Sequence, residues 1–317
     1  MKILVTGAAG FIGSHVAEAL LKRGDLVVGV DNLNDYYDVK FKKHNLEILK
    51  KHKGFKFYKA DICSHKAVKK IFEKERPEKV VHLAARAGVR PSIENPLLYA
   101  DTNIKGTLNL LELSRHYKVR SFVSASSSSV YGNQKKVPFS EKDNVDNPIS
   151  PYAATKKAGE LHCHTYHHLH NMKITCLRFF TVYGPRGRPD MAPYMFVESV
   201  SKGIPIKKFG DGKSRRDYTF ITDIVAGVIA AADKELEFEI INLGNNKPIS
   251  LNDFIAIVEK LVGKKAIINE LPMQPGDVDT TYADISKAKK LLGYNPKTSF
   301  ENGMKEFVEW YKQNRSS

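Results

Sequence analysis

A doubly wound α/β fold, a parallel sheet with helices on both faces, is predicted by three features of the sequence. Six short β-branched runs recur through the first 180 residues, helical patterns separate them, and a glycine-rich turn joins the first run to the first helix. The 317 residues are 42% hydrophobic, enough to bury a large core and to exclude a chain disordered throughout.

The runs are "KILVTG", "LVVGVDN", "FKFYKAD", "KVVHLAA", "SFVSASS" and "KITCLRFF". Between the first two, "FIGSHVAEALLKRG" sets Val16, Ala17, Leu20 and Leu21 on one helical stripe and stops at Gly24. After Phe180 the rhythm yields to the loop-like segments "TVYGPRGRPDMAPY" and "GIPIKKFGDGKSRRDY", rich in Gly, Pro and basic residues. The helical "ITDIVAGVIAAAD" and the strand-like "EIINLGNN" then return to the first pattern. Two amphipathic helices follow, one on Phe254, Ile257, Val258 and Leu261, the other on Met304, Phe307, Val308 and Tyr311. The expected organisation is a dinucleotide-binding domain over residues 1–180, rejoined by about 218–250. A smaller α/β substrate-binding domain is expected over 181–217 and 251–317.

No run approaches the length of a membrane span, and Met1 leads directly into a strand without an apolar leader, so a cytoplasmic protein is expected. The three cysteines, Cys63, Cys163 and Cys176, suggest neither a disulfide framework nor a zinc site. A net charge of +15 attracts polyanions of any kind, nucleic acid and phosphorylated small molecules alike.

In "TGAAGFIG" the glycines Gly7, Gly10 and Gly13 lie between strand and helix, where they permit a tight turn and a close approach of pyrophosphate to the helix N-terminus. Phe11 and Ile12 share that turn. Asp31 ends the second strand, where a carboxylate accepts the ribose hydroxyls of the adenosine half and repels a 2′-phosphate, favouring NAD over NADP. The fold is thus of Rossmann type. Asn32, Asp61, Ile62, Leu83, Ala84 and Ala85 fall at further strand C-termini, the edge where open α/β sheets bind ligands.

Ser150 and Pro151 open a helix that sets Tyr152 and Lys156 on one face at i and i+4. A tyrosine has an ordinary pKa of about 10, and neighbouring cations are needed to make it a base near neutrality. Tyr152 then takes a proton from a sugar hydroxyl as hydride leaves the same carbon. The serine run in "VSASSSSVYG" leaves the C-terminal end of a strand at the same sheet edge, and Ser127 is the hydroxyl expected to orient the reacting oxygen.

With "TGAAGFIG", "SSSSVYG", "YAATK", "RRDY" and "QPGD" in place, the chain resembles the extended short-chain dehydrogenase/reductases over nearly its whole length, specifically their nucleotide-sugar epimerase branch. Within it, "DNLNDYYD", "AARAGVR", "RFFTVYGPRGRPDMA" and "MQPGDV" most resemble the UDP-glucuronate 4-epimerases. The resemblance implies an NAD-dependent isomerase acting on a UDP-sugar through a transient 4-keto intermediate. Ser127, Tyr152 and Lys156 are then catalytic, and Asn103 lies near the cofactor with Lys156. Arg216 is implied at the substrate pyrophosphate, Phe209 and Gln274 at the nucleotide part of the UDP pocket, and Arg90 and Asp277 among the substrate-binding residues.

For a uronate the 4-ketone is a β-keto acid that loses carbon dioxide unless its carboxylate is held. Ser128, Ser129, Thr181 and Arg188 are the expected donors. Related decarboxylases and dehydratases carry an acidic residue where this chain has Ser129, which argues against both reactions.

UDP-glucose or UDP-N-acetylglucosamine epimerisation is the alternative within the branch. An NAD-sensing or nucleic-acid-binding Rossmann protein is the alternative outside it, but such a protein needs no Ser/Tyr/Lys set and shows no nucleic-acid module. No metal is expected: His164 and His168 in "HCHTYHHLH" have helical ligand spacing but no accompanying carboxylate. The same helix is implied by resemblance to lie in a homodimer interface. No membrane and no specific nucleic-acid partner is expected.

Overall fold

The computed structural model describes residues 1–272 and 279–315. Gln274 and Asp277 therefore lie outside the described residues. The six runs form β1 (Lys2–Thr6), β2 (Leu26–Asp31), β3 (Phe55–Lys59), β4 (Lys79–His82), β5 (Ser121–Ser127) and β6 (Ile174–Phe179). With β10 (Phe238–Leu243) they make one parallel sheet of seven strands in the order β10-β6-β5-β4-β1-β2-β3. Strand order reverses between β1 and β4, which opens a crevice at their C-terminal ends.

Helices α1 (Phe11–Lys22), α2 (Val39–Lys50), α3 (His65–Glu75), α6 (Gly106–His116), α7 (Pro151–His170) and α9 (Ile221–Lys234) cover the sheet. The stripe Val16, Ala17, Leu20 and Leu21 is buried, and Gly24 takes the positive φ of 95° that ends α1. Between β4 and α6 the chain runs through α4 (Val89–Glu94), α5 (Pro96–Ala100) and a π-helical turn, Asp101–Lys105. α7 is capped by Ser150, whose hydroxyl accepts from Ala153 N–H at 3.1 Å, with Pro151 in the first turn.

The remaining elements gather beyond the strand C-termini. β9 (Arg215–Phe220) pairs with β7 (Thr181–Tyr183), β11 (Pro248–Ser250) and β13 (Thr280–Thr281), while β8 (Ile206–Phe209) pairs with β12 (Ile268–Leu271). α8 (Ala192–Lys202), α10 (Leu251–Val262) and α12 (Phe300–Arg315) pack around them on an aromatic core that includes Tyr218, Phe254, Phe300 and Phe307, while α11 (Ser286–Leu292) lies against α9 and β10 of the large sheet. Crevice and added layer face one another, which is the geometry that positions the site.

Candidate active site

The turn after β1 is built on backbone. Gly7 has φ +69° and donates to Val30 O at 2.8 Å, tying the turn to β2. A Cβ on Gly13 would lie 2.0 Å from Gly7 O, so α1 approaches the turn closer than any side chain allows. The free N–H groups at the start of α1 open onto a cleft lined by Gly7, Gly10, Phe11, Ile12, Gly13, Asp31, Asn32, Ile62, Leu83, Ala84 and Ala85. Tyr152, Lys156 and Arg188 line the other end of the same cleft.

Asp31 is buried, and its carboxylate accepts Ala9 N–H at 3.1 Å and Leu33 N–H at 2.8 Å. Burial raises its pKa, partly offset by the Leu33 bond, the Lys42 ammonium and the Ala9 bond. Asp61 closes the same end, accepting Asn32 Nδ2–H at 2.9 Å and Cys63 N–H at 2.8 Å.

At the other end, Lys156 Nζ donates to Ala125 O at 2.7 Å, and burial lowers its pKa to about 8. Tyr152 lies one helical turn before it. Burial raises the phenol pKa, opposed by the Ser127 hydroxyl within hydrogen-bonding reach and by the Arg188 guanidinium. Ser127 Oγ in turn accepts Ser129 N–H at 3.1 Å, which starts the short 3-10 turn Ser128–Tyr131. The edge of the Tyr99 ring meets Tyr152, with centroids 6.2 Å apart.

Asn103 is buried in the π-helical turn and acts as a brace. Its Oδ1 accepts Arg86 N–H at 2.8 Å, and its Nδ2 donates to Arg86 O at 2.9 Å and Thr155 Oγ1 at 3.0 Å. It thereby joins the segment after β4 to the helix carrying Tyr152 and Lys156.

The sugar-side residues divide. Arg90 reaches over the Phe209 ring at 5.8 Å, joining α4 to β8. Arg216 lies on β9, its NH1 donating to Arg215 O at 3.0 Å and Asp279 O at 3.4 Å. Thr181 begins β7 opposite Tyr218. Arg188 is brought to Tyr152, while its fork is held by Asp190.

Sequence reasoning missed several members of the site. Tyr36, two residues past Asn34 in a polar loop, puts its ring under both Arg86 (5.8 Å) and Arg188 (5.1 Å). Lys42 is buried behind Asp31, donating to Asn34 O at 2.7 Å. His82 bridges Thr6 Oγ1 at 2.8 Å and Thr107 Oγ1 at 2.9 Å, and burial lowers its pKa to about 3. Thr107 donates to Asn103 O at 2.6 Å, so its oxygen must accept from His82 Nε2–H, leaving Nδ1 to accept from Thr6. The available signal was a lone polar residue in the apolar run "KVVHLAA" and an aromatic pair in "DNLNDYYD".

A glycine cradle, a carboxylate at the second strand, Tyr152 and Lys156 now line one cleft, with the Ser127 hydroxyl in reach of the phenol, and the family profile described as GDP-mannose 4,6 dehydratase matches residues 4–307 of this chain. The chain belongs to this family. Within it, the chain lies in the nucleotide-sugar epimerase branch. It is 55% identical over 312 residues to a UDP-glucuronate 4-epimerase of Thermodesulfobacterium geofontis, covering 98% of this chain and 96% of the relative. A UDP-glucuronic acid 4-epimerase of Bacillus cereus, solved with UDP-glucuronic acid and NAD, superposes with a TM-score of 0.93 at 41% identity, covering 99% of both chains. A UDP-glucose 4-epimerase of Thermotoga maritima, solved with UDP-glucose, has a TM-score of 0.90 at 34% identity, again covering 99% of each chain.

The donor set fits the cofactor that the Bacillus cereus structure contains. The cradle that a Cβ on Gly13 would fill, the free N–H groups of α1 and the buried Asp31 carboxylate are the features a dinucleotide requires.

Proposed function

We propose that this family member is an NAD-dependent UDP-glucuronate 4-epimerase, an isomerase converting UDP-glucuronate to UDP-galacturonate through a 4-keto sugar. The observation that carries the reading is the Ser127, Tyr152 and Lys156 cluster at one end of a dinucleotide cleft, with the Arg188 guanidinium beside the phenol. The relatives above supply the uronate. The family profile's name refers to a dehydratase, but Ser129 stands at the position where that reaction takes an acidic residue.

Gly7, Gly10, Gly13, Asp31 and Asp61 hold NAD, which supplies the hydride acceptor and donor. Tyr152 takes the proton of the sugar 4-hydroxyl and returns it after the ketone is presented on its other face. Ser127 donates to the same oxygen and fixes it against the phenol. Lys156, anchored on Ala125 O, keeps a cation next to Tyr152 along the helix. Ser128, Ser129, Thr181 and Arg188 grip the carboxylate so that its C–C bond cannot align with the ketone for loss of carbon dioxide. Residues 181–217 and 251–317 carry the UDP side, through Phe209 and Arg216, and Arg90 joins them from α4.

The protein acts as a homodimer in the cytoplasm on this reading. Leu161 and Leu169 are 55% and 63% exposed on the outer face of α7, and Leu97 on the neighbouring α5 is 80% exposed, an apolar face suited to a second copy. The buried thiols of Cys163 and Cys176 fit a reducing compartment.

The test incubates protein and NAD separately with UDP-glucuronate, UDP-glucose and UDP-N-acetylglucosamine, resolving products by NMR. UDP-galacturonate from the first is expected, and Tyr152→Phe abolishes it while retaining NAD. Turnover of neutral sugars alone would refute the uronate assignment, and an active Tyr152→Phe would remove the phenol from the mechanism.

A further inference from the structure

The Arg188 fork already holds a carboxylate. Nε donates to Asp190 Oδ1 at 3.0 Å and NH2 to Asp190 Oδ2 at 2.5 Å, the bidentate geometry of a guanidinium and a carboxylate. The Arg188 side chain is 19% exposed and that of Asp190 37%, so the acid is the partner nearer to water. The guanidinium also lies over the Tyr36 ring, whose loop follows β2, so a platform independent of Asp190 keeps it in the cleft.

We propose that Asp190 is a resident stand-in for the substrate carboxylate: it occupies Arg188 in the empty site, is displaced by the uronate, and reclaims the guanidinium when the product leaves. The inference rests on the reading of Arg188 as a carboxylate donor. A guanidinium largely withdrawn from water needs a counter-charge, and Asp190 supplies one from two residues away across Pro189. The exchange replaces one carboxylate with another and moves Asp190 toward solvent, so charge balance at Arg188 is the same before and after. A neutral hexose offers only hydroxyls to this fork and has no means of taking it from Asp190. The arrangement weakens uronate binding by the fraction of molecules in which the fork is taken, and it eases release of a product that carries the same carboxylate.

The experiment compares KM and kcat of wild type, Asp190→Asn and Arg188→Ala on UDP-glucuronate and UDP-glucose, with UDP affinity as the check on the nucleotide subsite. Asp190→Asn keeps the shape and removes the charge. Its expected signature is a KM for UDP-glucuronate lower by about three- to sixfold, the competition an ion pair of this exposure exerts. A reduced kcat accompanies it, while KM for UDP-glucose and affinity for UDP stay within about twofold. Arg188→Ala should raise KM for UDP-glucuronate more than it raises KM for UDP-glucose. If Arg188→Ala raises that KM but Asp190→Asn leaves it unchanged or higher, Arg188 is a clamp and Asp190 no stand-in. A KM lowered equally for both sugars also overturns the proposal, because no carboxylate exchange is then involved. If Arg188→Ala changes neither sugar, the clamp reading itself falls. Asp190→Ser carries the same expectation should the asparagine variant fold poorly.

Discussion

Replacing Gly13 by alanine places one carbon where the structure leaves no room. The added Cβ would sit 2.0 Å from Gly7 O, 2.7 Å from Gly7 C and 3.2 Å from Ala8 Cα, all of them backbone atoms that no rotamer change can move. Ordinary contact begins near 3.4 Å, so turn and helix must part by at least about 1.4 Å. Overpacking of this kind costs about 1–3 kcal/mol of stability. The parting also misaligns the N–H groups at the start of α1 with the anion they serve. Losing one charge-assisted bond, about 1.5–3 kcal/mol, corresponds to roughly ten- to a hundredfold weaker NAD binding. Calorimetric titration with NAD and urea unfolding measure the two effects separately. Gly159 provides the contrast: it lies inside α7 with nothing within 4 Å of an added Cβ, and Gly159→Ala should stabilise by about 0.5–1 kcal/mol with NAD affinity intact. A Gly13→Ala protein that bound NAD within twofold of wild type would show that the close approach is not needed, and the cradle argument would fail.

Arg178→Met removes the partner of buried Glu160, which Arg178 grips at 2.8 Å through both Nε and NH2, and should cost about 3–5 kcal/mol in urea unfolding; a loss under about 1 kcal/mol would deny the pair its role. Turnover should fall as pH rises past about 8, because burial has lowered the Lys156 pKa to that value and the cation at this end of the cleft is lost there. The linkage to stability has the opposite sign. Between about 8 and the unfolded value near 10.5 the unfolded chain holds a proton that the folded one lacks, so this group's contribution to stability rises with pH, and Lys156→Met should flatten that part of the profile. A pH–rate curve without a limb near 8 would detach Lys156 from the reaction.

The parallel sheet and the dinucleotide turn were legible because their signals are local: β-branched runs, glycines at fixed offsets, and Ser150-Pro151 ahead of Tyr152 and Lys156. The stretch between β4 and α6 was less so. Pro96 interrupts it, and the π-helical turn at Asp101–Lys105 that aims Asn103 at Arg86 and Thr155 follows no 3.6-residue rhythm. The short strands β8, β11, β12 and β13 were hidden because half-exposed runs such as "IKKF" carry little β signal on their own, and β9, though buried over its last four residues, opens on Arg215 and Arg216 and follows a Gly-rich basic stretch. Tyr36, His82 and Asp190 escaped for a related reason. Their roles depend on partners from separate segments, as with the Tyr36 ring shared by Arg86 and Arg188, or on a turn that folds Asp190 back onto Arg188.

The strongest coupling between fold and chemistry is the seam between α7 and β5. Tyr152, Lys156 and Glu160 stand at i, i+4 and i+8 on one face of the helix, opposite three consecutive residues at the end of the strand. Lys156 takes Ala125 O, Ser126 Oγ donates to Glu160 Oε1 at 2.6 Å, and Ser127 reaches Tyr152. Glu160 is also held by Arg178 on β6, and Arg178 NH1 donates to Tyr131 OH at 3.0 Å just past the serines. Two of the three contacts are therefore buried anchors that hold the helix, and the third is the acid/base pair itself. A helix pinned at Lys156 and Glu160 cannot slide or roll along β5 without breaking charge-assisted bonds away from water, where each is costly to lose. The distance from the serine to the phenol is consequently set by residues that take no part in proton transfer, which is how a surface-opening cleft keeps its acid/base pair in register.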